Sequence, residues 1–293
     1  MLAICGVAAH AGVVAIVLSE DSAPYQEASG AIEAALSPQH SVIKVLADKM
    51  AISGFALSRA NLLVAVGVKA ADLIADQGGS SPVLAVLVTE DWYQSYGRTK
   101  LSAGGRSAGV VVLEQPFSRQ MRLVRSAFPR AAKVGVVVGR KNSSLLDALQ
   151  ASARADGLTV VGAVAESESA LVATLGQVLK ETDLLLAVPD AEVLNRNTVQ
   201  SVLMTTYRYR DPVVGYSKAL SRAGALVSLY STPDQIGRQA GEIAARALNG
   251  GKLPTMQWPK YYSVSVNDHV ARSLGMDAPS EQALLTELGG GND

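Results

Sequence analysis

The sequence has one cysteine and three histidines among its 293 residues. Because Cys5 is the only thiol, the chain can form neither an internal disulfide nor a thiolate metal site. His10, His40 and His269 are far apart in the sequence and lack the spacing of zinc ligands, so a surface or packing role is expected for each. The sequence therefore predicts no metal and no other cofactor.

An excess of charge is also lacking, since 26 basic residues balance 26 acidic residues. A balanced chain gives no electrostatic indication of a nucleic-acid or anionic-membrane partner. The motif YRYR at 207–210 alternates aromatic and basic side chains, a pattern found in proteins that bind single-stranded nucleic acid. It stands before Asp211-Pro212 at the end of a predicted helix, where a solvated C-terminal turn is the favoured interpretation. No nucleic-acid partner is predicted.

Motifs for catalysis and nucleotide binding are missing as well. The sequence contains no P-loop, no GxGxxG after a predicted strand, no G-x-S-x-G elbow and no HExxH. These absences count against nucleotide-dependent and hydrolytic chemistry, and they leave open an enzyme with an unfamiliar site. The favoured prediction is that the protein is not an enzyme.

Aromatic residues make up only 5% of the chain, and small and aliphatic residues dominate instead. Such a composition is common where helices bury parallel strands on both faces. Short apolar runs alternate with helical patterns, which predicts βαβ repeats. Strands are predicted at 13–18, 42–45, 62–66, 83–88 and 110–113, and again at 134–138, 158–164, 184–188, 213–215 and 226–230, with a last one within 261–267. Helices are predicted near 25–36, 53–60, 68–76, 118–128, 143–156, 169–180, 195–207 and 233–249.

Two runs of about five strands predict an α/β fold with two Rossmann-like lobes, each with a parallel sheet. The short join LEQPFSRQ at 113–120 contains Pro116 and suits a hinge between the lobes. The first lobe is predicted to comprise 12–115 and 231–253, the second 116–230 and 254–285, and a disordered tail 286–293.

The first eleven residues, MLAICGVAAHA, are apolar and end in Ala9-His10-Ala11, the small-x-small pattern that signal peptidase cleaves. No Lys or Arg precedes them, so an N-terminal strand or arm is the alternative. We favour the end of a signal peptide over 1–11, which predicts a periplasmic or secreted protein.

Polar residues follow the predicted strands in both lobes, where open α/β sheets bind ligands. They are acidic in the first lobe and basic or hydroxyl-bearing in the second, a combination that suits a zwitterion such as an amino acid. The alternative is that these loop tips are polar only because they are exposed. The predicted ligand-binding residues are Ser19, Glu20, Gly67, Thr89 and Glu90 in the first lobe, and Arg140, Asn142, Ser143, Asp190, Tyr216 and Tyr230 in the second.

Three stretches of the sequence, at 114–139 (EQPFSRQMRLVRSAFPRAAKVGVVVG), 183–195 (DLLLAVPDAEVLN) and 222–254, resemble the ABC-transporter substrate-binding protein family that includes the bacterial tryptophan and tyrosine binders. The resemblance implies the type I periplasmic-binding-protein fold, in which the helix at 233–249 returns the chain to the first lobe. It also places Pro189-Asp190 in a ligand-facing loop, where the Asp190 carboxylate is expected to hold an ammonium group. The alternative is that Asp190 caps the predicted helix that begins near Asn195, or the turn before it. The Gly-rich PGGN-x-TG stretch common in that family is replaced here by TEDWYQSYGRTKLSAGGRS at 89–107.

The function implied by the resemblance is that of a secreted solute-binding protein of an ABC-type uptake system. Its two lobes are expected to close over a small polar solute and to present the closed form to a membrane permease. The alternative is a ligand-sensing subunit of a membrane signalling receptor. The expected partners are a small-molecule ligand and a permease or sensor, and the protein is expected to be a monomer.

Overall fold

The computed structural model describes residues 12–36, 39–50 and 57–289, which form two compact units. Unit 1 consists of the chain up to Leu113 together with Ser231–Tyr261, and unit 2 consists of Glu114–Tyr230 together with the chain from Tyr262 onward. Each unit has a largely parallel sheet flanked by helices, which confirms the predicted fold class. The predicted signal segment and part of the predicted helix at 53–60 lie outside the described residues. Within the described ranges, no helix is long and apolar enough to cross a membrane.

Unit 1 contains a five-stranded parallel sheet in the order β2-β1-β3-β4-β5. Apolar side chains on both faces of the sheet are buried, one face beneath the helices at Ala23–Leu36 and Pro233–Leu248 and the other beneath the helix at Val68–Gln77. The strands are β1 (Val13–Leu18), β2 (Ser41–Leu46), β3 (Leu62–Val66), β4 (Val83–Val88) and β5 (Ala108–Val112). The helices are α1 (Ala23–Leu36), α2 (Val68–Gln77), α3 (Glu90–Trp92), α4 (Arg98–Leu101) and α10 (Pro233–Leu248), with a π-helical turn (Tyr93–Gly97) joining α3 to α4.

Unit 2 repeats this strand order and adds one strand, giving β7-β6-β8-β9-β10-β11. The added strand, β11, runs antiparallel to β10, and the other pairs are parallel. The strands are β6 (Lys133–Gly139), β7 (Thr159–Ala165), β8 (Leu184–Leu186), β9 (Val213–Gly215), β10 (Val227–Tyr230) and β11 (Ser263–Val266). The helices are α5 (Phe117–Ala127), α6 (Leu145–Ala155), α7 (Leu171–Leu179), α8 (Val199–Tyr209), α9 (Lys218–Ala223), α11 (Asp268–Leu274) and α12 (Glu281–Glu287).

Helix α10 packs on unit 1, where the family resemblance places it. It begins with a capping box, in which the Thr232 hydroxyl accepts from the Gln235 N–H and the Gln235 side chain accepts from the Thr232 N–H. Two glycines let α10 approach α1 closely, because a Cβ at Gly237 would lie 2.3 Å from the carbonyl oxygen of Ala28. Unit 1 is therefore completed by a segment that follows most of unit 2 in the sequence.

The structure differs from the predicted lobe boundaries at 254–261, which belong to unit 1 and not to unit 2. Gln257 extends the unit 1 sheet, since its N–H donates to the Val110 carbonyl (2.9 Å) and its carbonyl accepts from the Val112 N–H (3.0 Å). The Tyr93 hydroxyl also donates to the carbonyl of Thr255 (2.8 Å). These backbone contacts join the segment to β5.

The predicted tail at 286–293 also begins too early. Helix α12 continues to Glu287, and the next residue, Leu288, is buried. The carbonyl of Leu288 accepts a hydrogen bond from the Tyr262 hydroxyl at 3.0 Å. The folded part of unit 2 thus extends past residue 286, and 290–293 lie outside the described residues.

Candidate functional site

The strand order of each unit reverses at one point, between β1 and β3 in unit 1 and between β6 and β8 in unit 2. Open α/β sheets bind ligands outside the carboxyl ends of the strands at this switch point. The residues that follow these strands are Ser19 and Gly67 in unit 1, and Arg140 and the loop containing Asp190 in unit 2. Topology therefore points to the strand ends at which the sequence predicts ligand contacts.

In unit 1, Ser19 links the end of β1 to the start of α2. Its hydroxyl accepts from the Ala70 N–H at 3.0 Å, and its side chain is buried. Gly67 precedes α2 with a φ of 94°, and a Cβ there would lie 2.5 Å from both Ser19 Oγ and the Tyr25 ring. Ser19 and Gly67 are thus packed together, and the Ser19 hydroxyl satisfies a backbone donor of the first turn of α2.

A cavity of about 550 Å³ opens at this end of unit 1. Glu20 is exposed at the cavity and forms no hydrogen bond or ion pair with any other described residue. Lys69 does not compensate Glu20, because its ammonium group lies 2.5 Å from the Asp48 carboxylate. The residues that line the cavity are Ser19, Glu20, Tyr25, Val68, Lys69, Asp72, Leu73 and Leu87.

Leu87 reaches the cavity through an irregularity in β4. Its φ is 53°, a left-handed conformation that is unusual for a branched apolar residue. The pairing of β4 with β5 shifts register between Val86 and Val88, so Leu87 is the extra residue of a bulge. Bulges of this kind re-aim a side chain, and here the half-buried Leu87 side chain lines the cavity.

Thr89 and Glu90 lie just beyond β4, at the start of α3. The Thr89 hydroxyl accepts from the Trp92 N–H at 3.2 Å and caps the helix, and Glu90 is half-buried in its first turn. The Trp92 indole N–H donates to Asp72 Oδ1 at 3.1 Å. Thr89 therefore contacts Trp92, and the Trp92 side chain in turn contacts Asp72 in the lining of the cavity.

In unit 2, Asp190 joins the loop after β8 to the end of β6. Its Oδ2 accepts from the Gly139 N–H at 2.7 Å, and its Oδ1 accepts from the Glu192 N–H at 2.8 Å. The side chain is only 2% exposed. Both carboxylate oxygens are thus bound to backbone donors, and Asp190 holds the two strand ends together.

Tyr216 lies near Asp190, after β9. Burial raises the pKa of the Tyr216 hydroxyl, and the negative charge of Asp190 raises it further. A phenol with a raised pKa remains protonated near neutral pH, so Tyr216 has a hydroxyl hydrogen to donate. The structure therefore brings Asp190 and Tyr216 together.

Arg140, Asn142 and Ser143 follow β6 in a short 3-10 turn and the residue after it. Arg140 is exposed, and its guanidinium lies 2.5 Å from the Glu166 carboxylate. Ser143 is exposed, whereas Asn142 is partly buried. The three residues share the strand end at which Asp190 contacts Gly139.

Tyr230 differs from the other predicted residues of unit 2. Burial raises the pKa of its hydroxyl, and its charged neighbours are Glu281 and Arg222. No hydrogen bond or ion pair among the described residues joins its side chain to Asp190 or Tyr216.

Sequence reasoning missed the residues of unit 1 that lie on helices, namely Tyr25, Asp72 and Trp92. The prediction used only the loops after strands, and these three residues lie on α1, α2 and α3. Asp72 is four residues after Val68, so the two share one face of α2, and this spacing was a readable signal.

A second cavity, of about 580 Å³, lies in unit 2 at the amino ends of the strands and is lined in part by Asp183 and Leu226. Nearby, burial raises the pKa of Asp211 to about 6, and the charge of Asp183 contributes. This edge lies away from the carboxyl ends, so we do not assign the solute site to it. The described residues contain no group of three His, Cys, Asp or Glu that could hold a metal ion.

Comparison with known proteins gives a family and a fold. A family model described as ABC transporter substrate binding protein matches residues 39–285. A comparison with curated proteins found no match.

Several solved structures are similar over nearly the whole chain. The ligand-free, open structure of CD0873, a substrate binding protein with adhesive properties from Clostridium difficile, has a TM-score of 0.74 and 19% identity, covering 93% of this chain and 97% of that one. The ABC domain in complex with L-Trp from Streptococcus pneumonia has a TM-score of 0.59 and 16% identity, covering 96% and 99%. A periplasmic ribose ABC transporter protein from Conexibacter woesei has a TM-score of 0.55 and 15% identity, covering 93% and 97%. These likenesses show a shared fold, that of type I periplasmic binding proteins.

Proposed function

The chain belongs to the family of ABC transporter substrate-binding proteins, and we propose that its solute is a small zwitterion such as an amino acid. Proteins of this family bind small-molecule ligands and deliver them to ABC permeases, and they are typically periplasmic or extracellular. The family is one of solute-binding proteins and not of enzymes. We accordingly propose that this chain binds its solute without altering it and passes it to a permease.

The observation that supports a zwitterion is that the strand ends of the two units offer different polar groups, an unpaired carboxylate in unit 1 and a phenol donor in unit 2. Unit 1 offers Glu20 at its cavity without a cationic neighbour in ion-pair contact among the described residues. Unit 2 offers a hydrogen-bond donor, the protonated hydroxyl of Tyr216, whereas its Arg140 guanidinium is paired with Glu166. An ammonium group suits the first set and a carboxylate the second. One similar structure is in complex with L-Trp and another is a periplasmic ribose ABC transporter protein, so the fold itself does not select the solute.

We further propose that the strand ends of both units bind the same solute and that binding favours a closed form. The chain passes between the units three times, near 113–114, 230–231 and 261–262. Closure therefore requires changes of φ and ψ at only a few residues. A ligand shifts such an equilibrium only by its difference in affinity for the two forms. Solution scattering should show a smaller radius of gyration when the solute is added, and an unchanged radius at saturation would contradict closure.

A thermal-shift screen followed by calorimetry tests the binding function. The panel contains the L-amino acids, simple amines, carboxylates and neutral sugars. A solute at 100 times its Kd stabilises the fold by about 2.7 kcal/mol, which gives a clear rise in Tm. Calorimetry should give one solute per chain, and mass spectrometry should recover that solute unchanged. Conversion of the bound solute to a product would overturn the proposal.

We also propose that the protein is exported, on the basis of the apolar N-terminal segment ending in Ala9-His10-Ala11. Mass spectrometry of the protein from its native host should then find a chain that begins at or near Gly12. A soluble cytoplasmic protein that retains Met1 would contradict export.

A further inference from the structure

We infer that Asp72, oriented by Trp92, binds the ammonium group of the solute on the unit 1 side. The inference rests on the proposed function and makes it more specific, because it assigns the positive group of the solute to one carboxylate. Neither residue is in a loop that follows a strand.

Asp72 is a half-buried carboxylate at the edge of the unit 1 cavity. Its Oδ1 accepts from the Trp92 indole N–H, and its Oδ2 forms no hydrogen bond with another described residue. No Lys, Arg or His of the described chain is within ion-pair distance of it. Removing a carboxylate from water is costly unless a cation or several donors replace the water. Asp72 therefore has one free oxygen and an unbalanced charge beside an open cavity.

Two other acidic residues on or beside α2, unlike Asp72, are paired with lysines. Asp76, one turn further along the same helix, pairs with Lys100 at 3.0 Å. Asp48 pairs at 2.5 Å with Lys69, the lysine that lines the cavity. The lysines beside α2, Lys69 and Lys100, are thus bound to carboxylates outside the cavity.

Trp92 is held in place by the irregular helix that replaces the family's Gly-rich stretch. The backbone N–H of Trp92 donates to the Thr89 hydroxyl. The Trp92 ring lies over Gly97, where a Cβ would be 2.5 Å from a ring carbon. The π-helical turn between them carries Tyr93, whose hydroxyl is anchored to the Thr255 carbonyl. Such turns are frequent at functional sites. Trp92 is a neutral donor, so it fixes the Asp72 carboxylate without cancelling its charge.

Two neighbours of Asp72 fit an ammonium group. Tyr25 places an aromatic ring at the same cavity, and a ring face attracts a cation within about 6 Å. Glu20 adds a second negative charge there. Asp190 is less suited to this contact, because both of its oxygens accept backbone hydrogen bonds and it is 2% exposed.

The test uses calorimetry with the L-amino acid that binds the wild type most tightly, together with its N-acetyl derivative, which lacks the positive charge. Asp72→Asn keeps the shape of the side chain and removes its charge. Trp92→Phe keeps an aromatic ring and removes the indole donor. Asp76→Asn is the matched control, since it removes a charge from the same helix at a position outside the cavity.

We expect Asp72→Asn to weaken binding of the amino acid by at least about tenfold, the effect of losing one charge-assisted hydrogen bond. Trp92→Phe should weaken binding by about two- to tenfold and reduce the preference for the free amine over its N-acetyl derivative. Asp76→Asn should leave affinity unchanged. The preference between the two probes separates a positioning role from general damage, which would weaken both alike.

The outcomes distinguish this inference from the function on which it rests. If amino acids bind and Asp72→Asn and Trp92→Phe leave their affinity unchanged, Asp72 is not the ammonium contact and the proposed function stands. If only neutral sugars or amine-free acids bind, the inference fails while solute binding is retained. If no probe binds the wild type, the proposed zwitterion function fails and the inference fails with it.

Discussion

The two units have the same strand order up to the added β11. They differ in the side chain that forms hydrogen bonds with backbone N–H groups at the switch point. In unit 1 a neutral hydroxyl, that of Ser19, accepts from the Ala70 N–H. In unit 2 a carboxylate, that of Asp190, accepts from the Gly139 and Glu192 N–H groups. Unit 2 thus uses its buried carboxylate to hold backbone, whereas in unit 1 the carboxylates of Glu20 and Asp72 line a cavity without an ion pair to any described cation. The same topology supports a structural acid in one unit and acids available to a ligand in the other.

The largest effect is expected from Asp190→Ala. The substitution removes two charge-assisted hydrogen bonds and leaves the buried Gly139 N–H unpaired, so the free energy of unfolding should fall by about 3 kcal/mol. Urea denaturation measures this change. Glu192→Gln, on the exposed side of the same loop, should change stability by at most about 0.5 kcal/mol. Unchanged stability with weakened solute binding would make Asp190 a ligand contact, as the sequence predicts.

Gly67→Ala tests the close packing of Gly67 against Ser19 and Tyr25 in unit 1. The φ of 94° disfavours any residue with a Cβ, and that atom would lie 2.5 Å from Ser19 Oγ and the Tyr25 ring. We expect a loss of about 2 kcal/mol in the free energy of unfolding. The control is Gly30→Ala in α1, where nothing lies within 4 Å and alanine should stabilise the helix by about 0.5 to 1 kcal/mol. Equal effects of the two substitutions would contradict the account.

Ser19→Ala tests the hydroxyl itself. Loss of one neutral hydrogen bond to the Ala70 N–H should lower the free energy of unfolding by about 1 kcal/mol, less than Asp190→Ala. Ser144→Ala is a suitable comparison, because the Ser144 side chain makes no capping hydrogen bond at the start of α6. If urea denaturation shows that Ser19→Ala lowers the free energy of unfolding as much as Asp190→Ala does, the contrast between the Ser19 and Asp190 contacts is wrong.

The smallest effect concerns Asp211, the carboxylate at the amino ends of the unit 2 strands. Its pKa is raised from 3.8 to about 6 in the folded protein, mainly by burial. Between these two values the folded state holds a proton that the unfolded state releases, so stability falls as pH rises through this window. Asp211→Asn should remove that part of the pH dependence, so its advantage in Tm over the wild type should be greater at pH 7 than at pH 4. Parallel Tm curves for the two proteins would contradict the raised pKa.

Much of the fold could be predicted because buried parallel strands are continuous apolar runs. The strands at Leu62–Val66 and Val83–Val88 have the predicted bounds, and the helix predicted near 233–249 is observed at Pro233–Leu248. The segment from Glu90 to Leu101 was not predicted as helix, because the π-helical turn breaks the spacing of its apolar residues. A pattern search sees only regular periods.

The candidate site was less predictable because it depends on contacts between distant parts of the chain. Asp72 and Trp92 are hydrogen-bonded although they are 20 positions apart in the sequence, and Asp190 and Gly139 are hydrogen-bonded although they are 51 positions apart. Whether a carboxylate after a strand is free or bound to backbone depends on which strand lies beside it. The sequence pattern locates the strand ends and does not report these pairings.

Calorimetric titration of one solute against variants of each unit tests the central claim most directly. Asp72→Asn alters unit 1, and Tyr216→Phe removes only a hydroxyl from unit 2. If both units bind the same zwitterion, the wild type should bind one solute per chain and each variant should weaken that event, by at least about tenfold for Asp72→Asn and severalfold for Tyr216→Phe. Full affinity in either variant, with folding intact, would contradict a shared site.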